Sequence, residues 1–120
     1  MNDLVERYIE TWNEPAADAR RAAVAELWTE GGTYTDPLAA VSGHDEIAGL
    51  IGAVQAQFPG HVVRLAADSL DAHHGIGRFR WELVPAAGGE PVVIGFDVAV
   101  AGDDGRLERV LGFLDKVPAT

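Results

Sequence analysis

The apolar pattern of this chain shifts from mainly helical spacing to strand alternation after Pro59-Gly60, and that change limits the possible folds more than any composition figure. Before it, Val5, Tyr8, Ile9 and Trp12 recur at i, i+3, i+4 and i+7 with Asp3, Glu6, Arg7 and Glu10 opposite, which predicts an amphipathic helix. Asn13-Glu14-Pro15 resets the chain, and Pro15 suits the first turn of a second helix. The apolar stripe of that helix is Val24, Leu27 and Trp28, and Gly31-Gly32 is expected to stop it. Thr33 to Pro37 reads as a short β segment ending in a turn. A third helix follows Ser42, whose hydroxyl is placed to cap it with Asp45 in the capping-box position, and Ile47, Leu50, Ile51, Val54 and Phe58 keep helical spacing. After Gly60 the period becomes that of strands, over about 61–70, 75–84, 91–101 and 106–117. Gly102-Asp-Asp-Gly105 is the most turn-like of their connections. Helices followed by an antiparallel meander predict an α+β domain, three helices on one face of a sheet.

The third of these strands carries the most informative residue. Asp97 lies in the middle of Pro91-Val-Val-Ile-Gly-Phe-Asp-Val-Ala-Val-Ala101, the most apolar run in the chain. Alternation sends Val92, Ile94, Phe96, Val98 and Val100 to one face and Val93, Gly95, Asp97, Ala99 and Ala101 to the other. A carboxylate on the buried face has to be paired, hydrogen-bonded or kept neutral by a raised pKa. Its small neighbours leave room for a ligand. The bland alternative is an Asp at a sheet edge or polar rim.

With 120 residues there is room for one domain, over 1–120, with a real core and one pocket. No apolar run reaches the ~20 residues of a membrane helix, and the charged N-terminus lacks the features of a signal peptide, so a cytoplasmic location is the expectation. The absence of cysteine excludes disulfides, thiol catalysis and Cys-ligated zinc. A net charge of −10 opposes binding to nucleic acid or anionic membranes.

Three stretches together resemble the nuclear-transport-factor-like (cystatin-like) superfamily, and within it the ketosteroid isomerases and SnoaL-like polyketide cyclases. Arg7-Tyr8-Ile9-Glu10 is similar to the isomerase helix that carries an oxyanion tyrosine, Tyr34-Thr35-Asp36-Pro37 to the segment with the general base, and Asp97 to the second oxyanion donor. The separation of Asp97 from Gly105-Arg106-Leu107 also fits. The resemblance implies a cone of three helices on a curved antiparallel sheet around an apolar pocket, with no cofactor and no metal. It implies that Asp36 removes a proton alpha to a carbonyl while Tyr8 and a neutral Asp97 hydrogen-bond the enolate oxygen. Ketosteroid isomerase is itself a standard worked case of that logic.

Trp12, Trp28, Ile51, Phe79, Trp81, Val93, Ala99 and Phe113 are the expected substrate-binding residues, with core packing as the alternative for each. The ligand would be an apolar small molecule with a carbonyl or phenol oxygen. A polyketide cyclase, or a ligand-binding or dimerisation domain without turnover, is the competing reading. Gly95 stands where an epoxide-hydrolase relative would carry Arg, which disfavours that activity. His44, His61, His73 and His74 form no helical His-x-x-x-His pair and read as solvated or structural, with no metal site. Arg78, Arg80 and Glu82 alternate with Gly77, Phe79, Trp81 and Leu83, giving a charged strand face that is either solvated or part of a homodimer interface.

Overall fold

A computed structural model describes residues 1–118; the last two residues of the domain read over 1–120 lie outside the described ones. The helices are α1 (Asn2–Trp12), α2 (Ala17–Leu27) and α3 (His44–Gln57). The strands are β1 (Trp28–Thr35), β2 (Ala40–Ser42), β3 (His61–Leu65), β4 (Asp71–His73), β5 (Ile76–Pro85), β6 (Val93–Ala101) and β7 (Leu107–Lys116). They form one sheet in the order β2-β1-β7-β6-β5-β3, with β4 beside β5. The expected α+β architecture is present, with the three helices packed against one face. The sheet is mixed, however, because β1 runs parallel to β7 while the other pairings are antiparallel. β7 ends the meander with an unpaired edge, and β1, distant in sequence and free of hairpin geometry, satisfies its backbone groups in the parallel sense.

Several boundaries differ from the sequence pattern for local reasons. α2 starts after Pro15, at Ala17, and ends at Leu27, where Trp28 turns extended (φ −104°, ψ 145°). Gly31 and Gly32 therefore sit inside β1, and a Cβ on Gly32 would lie 2.7 Å from the Trp28 ring. The span read as a strand over 61–70 splits into β3 and β4, because Ser69 folds back. Its hydroxyl donates to the Ala66 carbonyl (2.8 Å) and accepts from the Arg80 amide (3.1 Å), taking over ladder bonds of β5. α3 is capped by Gly43 at φ +84°, not by Ser42; Glu46 accepts the Ser42 amide (3.0 Å) and Asp45 pairs with Arg21 (2.6 Å).

The core lies between the helices and the inner sheet face, centred on Val5, Val24, Trp28, Ile51, Phe79 and Leu107. Polar clasps fix α1 over one end of this face. The Asn13 side chain donates to the Val63 carbonyl and accepts its amide, both at 2.7 Å, extending the β3 ladder to the end of α1. Gln55 of α3 donates to the carbonyls of Trp12 and Glu14, both at 2.9 Å. Among the described residues no helix is long and apolar enough to cross a membrane.

Candidate active site

β6 alternates as the sequence predicts: Val93, Gly95, Asp97 and Ala99 are buried on the inner face. Asp97 is 1% exposed and pairs in register with Phe79 on β5 and Gly112 on β7. Its two oxygens have different partners. Tyr8 of α1 donates its hydroxyl to Oδ2 (3.1 Å), and the Trp81 indole N–H donates to Oδ1 (3.0 Å). Two glycines make this possible. A Cβ on Gly95 would overlap the Trp81 indole, and one on Gly112 would lie 2.8 Å from Asp97 Oδ1. Burial pushes the Asp97 carboxyl up to about 6, opposed by the hydrogen bonds from Trp81 and Tyr8 and assisted by the charge of Asp36. Burial, followed by the charge of Asp97, raises the Tyr8 phenol well above its ordinary value. Tyr8 is therefore a protonated phenol at neutral pH.

Asp36 occupies the turn after β1. Its Oδ1 accepts the amides of Leu38 and Ala39, both at 2.8 Å, and its Oδ2 accepts the Tyr34 hydroxyl at 2.7 Å. Tyr34 and Asp36 are two apart, which alternation puts on one side of the strand end. A carboxylate offers about four lone-pair positions, so three donors leave one open on Oδ2. Burial, with the charge of Asp97 next, keeps the Tyr34 phenol raised and protonated. Asp36 and Asp97 meet around one glycine, since the Cβ position of Gly112 that lies against Asp97 is also 3.4 Å from Asp36 Cβ.

An apolar cavity of about 250 Å³ opens beside this pair. Tyr8, Trp12, Tyr34, Asp36, Trp81 and Val93 line it, with Val54 of α3, Phe58 just after that helix, Leu83 of β5 and Leu114 of β7 among the remaining wall residues. Tyr8, Asp36, Trp12, Trp81 and Val93 are thus brought together as the sequence suggests. Trp12 also carries an indole N–H that is buried and without a partner among the described residues, an unused donor in the wall.

Other expected residues lie elsewhere. Asp97 lies behind the wall, reached through Tyr8 and Trp81, instead of beside Tyr8 in the cavity. Phe79 and Ala99 belong to deeper rows of the sheet than Trp81 and Val93, and both are buried in the core. Ile51 is likewise core, with Val54 further along α3 and Phe58 at its C-terminal cap reaching the cavity in its place. Trp28 begins β1 and is fully buried. Phe113 points to the outer face of the sheet, 53% exposed, because its neighbours Gly112 and Leu114 take the inner positions. Tyr34 is the main residue the sequence reading passed over, although it stands in the same Tyr-x-Asp stretch. His44 is structural: its Nε2 lies 2.9 Å and 3.0 Å from the carbonyls of Trp28 and Thr29. No group of metal-ligating side chains occurs among the described residues.

The SnoaL-like domain family matches residues 5–110, a span that contains every residue of the Tyr8, Asp36 and Asp97 constellation. The chain belongs to the SnoaL-like family. A candidate isomerase of that family from Agrobacterium tumefaciens is 36% identical over 94% of this chain and 95% of its own, with a TM-score of 0.88. A candidate ketosteroid isomerase from Kribbella flavida is 19% identical over 98% and 79% of the two chains, with a TM-score of 0.70. A candidate polyketide cyclase from Sinorhizobium meliloti is 17% identical over 92% and 93%, also at 0.70. The last two show the shared fold, which in this SnoaL-like domain holds two Tyr–Asp pairs at one cavity end. Among curated proteins none matches.

Proposed function

We propose that this SnoaL-like domain is a cofactor-independent enzyme that moves a proton next to a carbonyl, by enolisation of a small apolar ketone. The observation that carries this reading is the convergence of the Tyr34–Asp36 and Tyr8–Asp97 pairs on Gly112 at the polar end of an otherwise apolar cavity. Asp36, with its open Oδ2 position, takes the proton from the α-carbon; the C–H electron pair becomes the enolate, whose oxygen accepts the Tyr8 hydroxyl proton in a hydrogen bond. Returning the proton from Asp36 to the γ-carbon of a β,γ-unsaturated ketone completes an isomerisation with atoms and charge balanced.

Asp97 acts through Tyr8, which has a single proton to donate. When Asp97 is ionised that proton points at Oδ2; when Asp97 is neutral its own Oδ2–H donates to the Tyr8 oxygen and frees the Tyr8 proton for the ligand. A negative ligand oxygen nearby favours the neutral carboxyl further. The cavity, about 250 Å³, is smaller than the ~300–1,000 Å³ of sites for drug-sized ligands, which favours mono- or bicyclic ketones over a steroid. Wild type is expected to isomerise small cyclic β,γ-enones and to bind a fluorescent phenol competitively. Phenol binding without turnover of any ketone would leave a binding domain or a cyclase of polyketide precursors, and absence of both would overturn the reading.

The same reading includes a homodimer formed through the outer sheet face. Phe96 and Phe113 pair across β6 and β7 there, and Phe113 and Ile76 are exposed, while Arg78, Arg80 and Glu82 supply both signs of charge along the border. A two-fold axis would set this patch against its own copy. Phe113→Glu is expected to convert the dimer to a monomer in sedimentation velocity, with the helical and sheet content unchanged. A wild-type chain that sediments as a monomer at high concentration would exclude the dimer.

A further inference from the structure

Trp81 holds a position that neither wall packing nor the proton step described above requires. Its ring occupies the space that any side chain at 95 would fill, and its N–H reaches one row deeper along the sheet to Asp97 Oδ1 at 3.0 Å. An indole N–H can donate and never accept, so it fixes the role of the oxygen it touches. We propose that Trp81 is a positioning residue that holds Oδ1 of Asp97 as a permanent acceptor and thereby makes Oδ2, the oxygen facing Tyr8, the only one that gains or loses a proton. This rests on Asp97 and Tyr8 sharing a proton as argued above. Without the indole, the carboxyl could carry its proton on either oxygen or rotate, and a proton on Oδ1 would leave Tyr8 donating to Oδ2 and unavailable to a ligand. Trp81 would then couple the cavity wall to the hidden carboxyl.

The groups facing Asp97 are few. α1 presents Tyr8, β1 and its following turn present Tyr34 and Asp36, β5 presents Phe79 and Trp81, and β7 presents Gly112. Among the described residues only Trp81 and Tyr8 donate to Asp97, and both hydrogen bonds favour its charged form.

The test is a carbon-13 NMR titration of Asp97 in wild type, Trp81→Phe and Gly95→Ala, with the pH profile of phenol affinity measured on the same samples. Phe keeps an aromatic ring over Gly95 but removes the N–H; Ala at 95 keeps the indole but displaces it. In both variants the Asp97 midpoint, about 6 in wild type, is expected to move up by about one pH unit or more, and the phenol-affinity profile to move with it. If Trp81→Phe does not fold, Gly95→Ala alone decides. An unmoved midpoint, or a loss of phenol affinity with no shift of its pH profile, would overturn the proposal and leave Trp81 as a wall residue. Because the titration needs no turnover, it separates this outcome from a failure of the enolisation reading.

Discussion

Asp36→Asn is expected to lower turnover of a small cyclic β,γ-enone by about 10²–10⁴-fold while leaving phenol affinity within a few-fold of wild type. The structure shows why the substitution is a clean probe. Asn retains an Oδ1 that accepts the amides of Leu38 and Ala39, so the turn after β1 keeps its two 2.8 Å bonds. Its amide nitrogen replaces Oδ2, and the Tyr34 hydroxyl, which donates there at 2.7 Å, can rotate to accept instead. Shape and polarity survive, but the lone pair that would take the α-proton is gone. Phenol binding depends on the Tyr8 donor and the apolar wall, which the change does not touch. Steady-state kinetics and fluorescence titration of the same variant measure the two quantities. Unchanged turnover would remove Asp36 as the base and shift the chemistry to Asp97 and Tyr8.

The parts of this site that were legible in the sequence are those governed by period. Alternation along β6 places Asp97 indoors among Val93, Gly95 and Ala99, and the 3.6-residue period of α1 places Tyr8 on the buried face, because each pattern depends only on neighbours in the chain. The same logic brings Tyr34 and Asp36 to one side of β1. What could not be read depends on rows of the sheet, that is, on register between distant strands. Asp97 and Trp81 are one inward row apart, since Trp81 pairs with Gly95 and Phe79 with Asp97, and that single row separates a cavity wall from a buried carboxyl behind it. For the same reason Phe79 and Ala99 share the inner face with true wall residues yet line nothing. Trp28 was misplaced because it lies at a helix-to-strand junction where an apolar residue satisfies both periods. Gly95 and Gly112 look like weak points in strands until the Trp81 ring and the two carboxylates they make room for are seen. The parallel β1–β7 pairing has no local sequence signal either, as no hairpin turn specifies it.

Asp97→Asn is expected to stabilise the folded protein above pH 6 and to make its ligand binding independent of pH. The folded-state pKa of Asp97 is raised from 3.8 to about 6, chiefly by burial. Below pH 3.8 the carboxyl is neutral in both folded and unfolded chains and its burial carries no charge penalty. As pH rises from 3.8 through about 6 the unfolded chain ionises first, so the stability present at low pH is lost and the folded state is disfavoured by about 3 kcal/mol at neutral pH. Asn never ionises and escapes that loss. It also keeps the neutral acid's acceptor and donor: its Oδ1 accepts the Trp81 N–H, and one of its two amide protons is donated to the Tyr8 oxygen, leaving the Tyr8 proton directed at the cavity. Phenol affinity in wild type should therefore weaken as pH rises through about 6, whereas in Asp97→Asn it should stay at the low-pH level of wild type up to the titration of the phenol itself. Urea unfolding at pH 4 and pH 7.5 tests the first half, with the stability difference between variant and wild type growing by about 2.5 kcal/mol between the two, because the unfolded carboxyl is already partly ionised at pH 4. Parallel stability profiles for variant and wild type would mean that Asp97 keeps an ordinary pKa in its buried site. A variant that binds phenol weakly at every pH would mean that the carboxyl is needed as an anion, and the neutral-acid route through Tyr8 would be abandoned.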